Sequence, residues 1–168
     1  LGLVGSEMCI RDRFFIGGHP GFRCPLDEGE AYTDYELRFE KEEAAELCTA
    51  VPSTGLIDVD RRSKNPMVGK TLPLSHELFD FAETIFDVLE SRQVTLSKKG
   101  EDKGVRLSFE GFPYLIVWSK PEGDFVAVEP WGGLSTCSDE DDVLEHKRGC
   151  LIAKPKETIV RSFTIEIL

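Results

Sequence analysis

From Tyr32 onward, apolar and polar residues alternate with a period of two over much of the chain. In Tyr35-Glu36-Leu37-Arg38-Phe39-Glu40, the three apolar side chains fall on one side and the charges on the other. That pattern is the signature of a half-buried strand. Runs of the same kind recur at residues 93–98, 105–110, 114–120, 125–129 and 158–168. The turn-rich pieces Lys99-Gly100-Glu101-Asp102-Lys103-Gly104 and Lys120-Pro121-Glu122-Gly123-Asp124 separate the first of these from the second and the third from the fourth. Short strands at such spacing, punctuated by glycine and proline, predict an all-β chain folded as an antiparallel β-sandwich or barrel.

Two stretches depart from the rule. Between Leu74 and Leu89, residues Leu78, Phe79, Ala82, Ile85, Phe86 and Leu89 recur at three- and four-residue steps, which also suits one amphipathic helix. Because β-branched and aromatic residues thicken toward its end, the segment is better read as a short helical turn over residues 75–80, with Ser75 available as its cap, leading into a strand near 84–88. Residues 52–73 hold three prolines and two glycines and read as loop, with one strand near Ile57. No internal repeat is visible.

At 168 residues the chain fits one domain with a sizeable core. Its 31 acidic against 20 basic residues give a net charge of -11, which argues against binding a phosphate backbone, where lysine and arginine must displace counterions. No apolar stretch is long enough to span a membrane, so neither nucleic acid nor membrane is expected as a partner. The acidic run Asp139-Glu140-Asp141-Asp142 lacks the spaced oxygens and glycine of a calcium loop and reads as solvated surface. Five cysteines form no C-x-x-C pair and no even framework, so a reducing, cytoplasmic setting is the default. Cys137, His146 and Cys150 match no zinc spacing, and no metal is expected. Residues 1–13 share no pattern with the strand-like remainder of the chain, and Met8-Cys9-Ile10-Arg11-Asp12-Arg13 resembles translated sequencing-adaptor DNA. The natural sequence is therefore expected to start near Phe14, with residues 14–168 as one domain.

Chemistry is concentrated in two places. In Ile16-Gly17-Gly18-His19-Pro20-Gly21-Phe22, the glycines admit a close backbone or ligand and Pro20 restricts His19 to an extended conformation. An imidazole aimed in this way can give or take a proton near neutral pH; a loop histidine holding a carbonyl fits the same residues. In Phe125-Val126-Ala127-Val128-Glu129-Pro130-Trp131, alternation places Glu129 at the end of an apolar face with Phe125 and Ala127. Partial desolvation there would make its carboxylate a stronger base, and Trp131 offers a flat surface for a sugar ring. A rim glutamate paired with a lysine is the plainer reading. Positions 19 and 129 lie 110 apart, and sequence alone does not join them. His76 and His146 are expected to be structural or solvated.

Taken together and in order, the Gly-Gly-His-Pro and Glu-Pro-Trp elements resemble the galactose mutarotase-like aldose 1-epimerase family, in particular its compact bacterial subgroup. The likeness also takes in Leu72-Pro73-Leu74-Ser75-His76-Glu77-Leu78-Phe79, Ser91-Arg92-Gln93-Val94-Thr95-Leu96 and Gly111-Phe112-Pro113-Tyr114, and runs from about Phe15 to the end. The resemblance implies the family's large antiparallel β-sandwich, here without its N-terminal half, which supplies further strands and sugar contacts including an arginine. It also implies an anomer-interconverting isomerase, with His19 protonating the ring oxygen and Glu129 taking the anomeric hydroxyl proton. A monosaccharide or sugar phosphate is the implied substrate, with no cofactor. An acidic sugar-binding residue is implied near Ala82, for which Asp80 and Glu83 are the candidates beside Trp131. A non-catalytic carbohydrate-binding module on the same fold is the alternative.

Overall fold

The computed structural model describes residues 11–168, and these form thirteen strands and three single 3-10 turns. Six strands make one antiparallel sheet: β2 (Gly21–Arg23), β11 (Phe125–Trp131), β10 (Tyr114–Trp118), β7 (Thr84–Phe86), β4 (Leu47–Val51) and β5 (Leu56–Ser63), in that spatial order. Five make a second: β13 (Thr164–Ile167), β9 (Gly104–Ser108), β8 (Gln93–Lys98), β3 (Tyr35–Phe39) and β6 (Thr71–Pro73). A separate ribbon pairs β1 (Asp12–Phe14) with β12 (Leu151–Ala153).

The alternation read from the sequence decides which faces meet. In the five-stranded sheet, Phe39, Val94 and Leu107 form one cross-strand row and Leu37, Leu96 and Val105 the next. Facing them from the six-stranded sheet are Phe86, Leu115, Val117, Val126 and Val128, all essentially inaccessible and part of the same cluster. Burying a Leu, Val or Phe side chain contributes about 1.5–3 kcal/mol, so these two inner faces are the main source of stability. The six-stranded sheet is apolar on its other face as well. There Cys48, Ile57, Ile85 and Ile116 collect under Leu134 and Cys137, because the chain leaving β11 folds back and pairs with Ile57.

Between strands, a buried carboxylate fastens the long connections. Glu43 accepts the backbone N–H groups of Glu90 at 2.9 Å and Ser91 at 2.7 Å, while the Asn65 amide donates to the carbonyls of Glu43 and Ala45. At the far edge of the five-stranded sheet, Ile165 of β13 lies opposite Leu107 yet stays 45% exposed. That sheet therefore reaches past the cover its partner provides.

Several sequence readings need correction. The strand expected near Ile57 is present, but β5 is longer than a short strand in a loop, running for eight residues, and β6 comes after it. The prolines and glycines there mark its ends rather than its body. The strand expected over 158–168 is confined to Thr164–Ile167. The helical turn is a 3-10 turn, His76–Phe79, and Ser75 at its N-cap position makes no side-chain capping bond to it. The next strand is Thr84–Phe86, close to expectation. The expected foreign segment lies outside the described residues over 1–10, while Asp12 and Arg13 take part in β1, where Arg13 also pairs with Glu145.

Candidate active site

One ladder joins the two motifs that sequence left apart. In the β2–β11 pairing, Gly21 lies opposite Ala127 and Phe22 opposite Val126. The same register continues backward past the end of β2: Val128 N–H donates to the Pro20 carbonyl at 3.1 Å, and Gly17 bridges Trp131. Between those two points His19 falls opposite Glu129. Further backbone bonds fasten the loop, from Gly18 N–H to the Pro130 carbonyl and from Gly132 N–H to the Ile16 carbonyl, both at 2.9 Å. The close approach requires glycines. A Cβ on Gly132 would lie 2.5 Å from the Ile16 carbonyl oxygen, and one on Gly17 would lie 3.2 Å from the Pro130 carbonyl oxygen and from Trp131 Cδ1.

The resulting pair is asymmetric. His19 Nε2 sits 3.2 Å from Glu129 Oε1, with the imidazole 66% exposed and the carboxylate only 2% exposed. Thus the carboxylate lies at the floor and the imidazole at the rim. Ile116 is the cross-strand neighbour of Glu129 and is itself beside Ile85, so the floor is apolar. Burial accordingly pushes the Glu129 carboxyl above its ordinary value. The nearby His19 and the Trp131 N–H pull it part of the way back, and Glu83 pushes it up again. The Trp131 indole donates to Glu129 Oε2 at 3.0 Å. A cleft of about 400 Å³ opens beside the pair between Phe15, Ile16, Gly18, His19, Trp131 and Leu134, a size that suits a small ligand.

The remaining candidates separate. Glu83 is close enough to Glu129 to act on its charge. Asp80 is exposed at the C-terminal end of the 3-10 turn and has no contact with the pair among the described hydrogen bonds and ion pairs. His76 stacks on Tyr32 with ring centroids 4.1 Å apart and bonds the Gly123 carbonyl through Nε2. His146 pairs with Asp141 at 2.8 Å on the surface. Both therefore have structural or solvated surroundings. Sequence reasoning missed Phe15, Ile16 and Leu134 as cleft walls, and nothing in their spacing marks them. It also missed the Trp131–Glu129 hydrogen bond, for which a signal existed: residues two apart on a strand share a face.

No family model matches the chain. It is 42% identical over 156 residues to the plasmid-encoded protein LacX of Lactococcus lactis subsp. lactis, a match that covers 92% of this chain and 52% of that protein. The chromosomal LacX of the same organism matches equally. Among solved structures, a galactose mutarotase related enzyme from Lactobacillus acidophilus superposes with a TM-score of 0.80 at 26% identity, covering 96% of this chain and 54% of that one. A galactose mutarotase-like protein from Lactobacillus casei ATCC 334 gives 0.73 at 25% identity, covering 95% and 53%. The architecture is thus that of galactose mutarotase-like proteins, and the chain spans about half the length of the curated relatives it matches.

Proposed function

We propose that this chain carries the acid and base of a mutarotase that interconverts the α and β anomers of an aldose by opening and closing the sugar ring. The observation that carries the reading is the His19–Glu129 pair: a desolvated carboxylate 3.2 Å from an exposed imidazole, beside a cleft of ligand size. Mutarotation needs a base for the anomeric hydroxyl and an acid for the ring oxygen. Both oxygens are bonded to the same anomeric carbon, so the two protein groups must stand close together, as these do.

In this reading the sugar enters from the cleft, donates its anomeric hydroxyl to Glu129 and accepts a hydrogen bond from His19 at its ring oxygen. Glu129 removes the hydroxyl proton, the bond between the anomeric carbon and the ring oxygen breaks with its electron pair moving to that oxygen, and protonated His19 supplies the proton there. The aldehyde turns about its bond to the next carbon and presents its other face. Closure runs in reverse: His19 takes back the hydroxyl proton and Glu129 returns its own, so nothing is oxidised or consumed. Raised basicity at Glu129 suits proton removal from a hydroxyl. Each proton-transfer group contributes about 10²- to 10⁴-fold, and the rest must come from holding the sugar. Glu83 is the better placed of the two acidic candidates for a sugar hydroxyl, and Asp80 is set aside. We also propose that residues beyond the span of this chain complete the site, since the curated relatives it matches are about twice as long.

The test is anomer exchange measured by polarimetry or exchange NMR over a panel of aldoses, with the full-length protein and its Glu129→Gln and His19→Ala variants. The reading expects about a hundredfold loss or more on Glu129→Gln, and a loss under tenfold would contradict it. Saturable sugar binding without faster exchange would instead identify a binding module on the same sandwich.

A further inference from the structure

We infer that Trp131 is a positioning residue for Glu129, and that its indole N–H, more than its flat face, is what the site uses. The inference rests on reading Glu129 as the base. The two carboxylate oxygens have different neighbours: Oε2 receives the Trp131 Nε1–H at 3.0 Å, whereas Oε1 lies 3.2 Å from His19 Nε2. An indole N–H only donates, so the oxygen it holds is kept as an acceptor. That leaves Oε1, the oxygen turned toward the imidazole, to receive the proton from the substrate.

The indole is well anchored for this task. Trp131 bridges Gly17, its Cδ1 would be only 3.2 Å from a Cβ placed there, and the ring packs on the apolar cluster beneath the outer face. Such packing leaves the ring little freedom to swing over and stack on a ligand. A free glutamate side chain rotates about three bonds. Held at one oxygen by a donor on its own strand, it presents the other in a fixed direction, which is what orientation requires. The bond also favours the ionised carboxylate and partly offsets the effect of burial. Trp131 thereby keeps the base charged while the apolar floor keeps it reactive.

The experiment tracks the Trp131 indole N–H cross-peak by ¹H–¹⁵N NMR across pH, with assignment by its disappearance in Trp131→Phe. The cross-peak is expected to move through a titration step in wild type that is absent in Glu129→Gln. In Trp131→Phe, which keeps a ring, the acidic limb of kcat/KM is expected to shift to higher pH, because the ionised carboxylate has lost a donor. Its kcat should fall about tenfold while KM changes less than about threefold. A raised KM with an unmoved acidic limb would mean that Trp131 acts by stacking and would overturn the inference. An indole cross-peak that ignores Glu129 would also overturn it. Absence of sugar turnover in wild type would remove the proposed function alone, since the indole titration still decides whether the hydrogen bond positions the carboxylate.

Discussion

The backbone around His19 allows a graded test with three alanine substitutions. Gly132→Ala is the severe case. Its Cβ would stand 2.5 Å from the Ile16 carbonyl oxygen, where real contacts begin at 3.0 Å. The obstacle is backbone rather than side chain, so the His19 loop must retreat by at least about 0.5 Å, and misplacements approaching 1 Å cost about 10²-fold in rate. Anomer exchange is therefore expected to fall about ten- to a hundredfold, with stability reduced by about 1 kcal/mol through loss of the Gly132–Ile16 hydrogen bond. Gly17→Ala is milder: its contacts at 3.2 Å require the neighbours to give by a few tenths of an ångström, and a loss of about threefold is expected. Gly18→Ala would meet the ring of Phe163, but that ring is 36% exposed and can swing away, so the rate should hold. Exchange NMR on the three purified variants, with thermal melts to confirm folding, gives the order directly. If Gly132→Ala keeps the wild-type rate, or Gly18→Ala is the most damaging, the ladder does not set the position of the imidazole.

Three further outcomes are expected. The Glu129 carboxyl is raised in the folded chain. Between the ordinary carboxyl value and the raised one, the native state keeps a proton that the unfolded state has released, so stability falls as pH rises through that interval. Glu129→Gln should therefore gain on wild type in denaturant titrations as pH rises from about 4, and a difference that stays flat with pH would exclude a native-state shift. Glu43→Ala orphans the Glu90 and Ser91 N–H groups and should destabilise by on the order of 3 kcal/mol; a change below about 1 kcal/mol in the same titration would mean that water replaces the carboxylate. Leu107→Ala, at a 1% exposed position in the row with Phe39 and Val94, should lose about 2–5 kcal/mol, whereas Ile167→Ala at 78% exposure should shift the midpoint little.

The legible part of this fold was the part written in alternation. Tyr35, Leu37 and Phe39 announced β3 and its buried side because a half-covered sheet imposes a period of two. β5 was legible only near Ile57, and its length was missed because its last four residues, Asp60 to Ser63, are exposed and charged or polar, as suits a strand at the sheet edge. Within the site, His19 and Glu129 were recognisable one at a time, each from the proline behind it and the glycines or apolar face around it. Their proximity was not, since a ladder partner 110 positions away leaves no local trace. The choice between Asp80 and Glu83 likewise depended on where a 3-10 turn ends, and local sequence places such an end only to within a residue or two.

The ladder through Gly17, His19 and Gly21 carries a constraint on length that is independent of residue identity. One residue inserted between His19 and Phe22, or between Val126 and Glu129, would exchange the sheet faces of everything beyond the β2–β11 pairing and turn either the imidazole or the carboxylate toward the hydrophobic core. In any chain that keeps this histidine–glutamate pair in this arrangement, both short stretches should be free of gaps, even where most of their letters have drifted. Insertions should collect instead in the connections on either side, which makes segment length a marker of the site that can be searched for when sequence identity has faded.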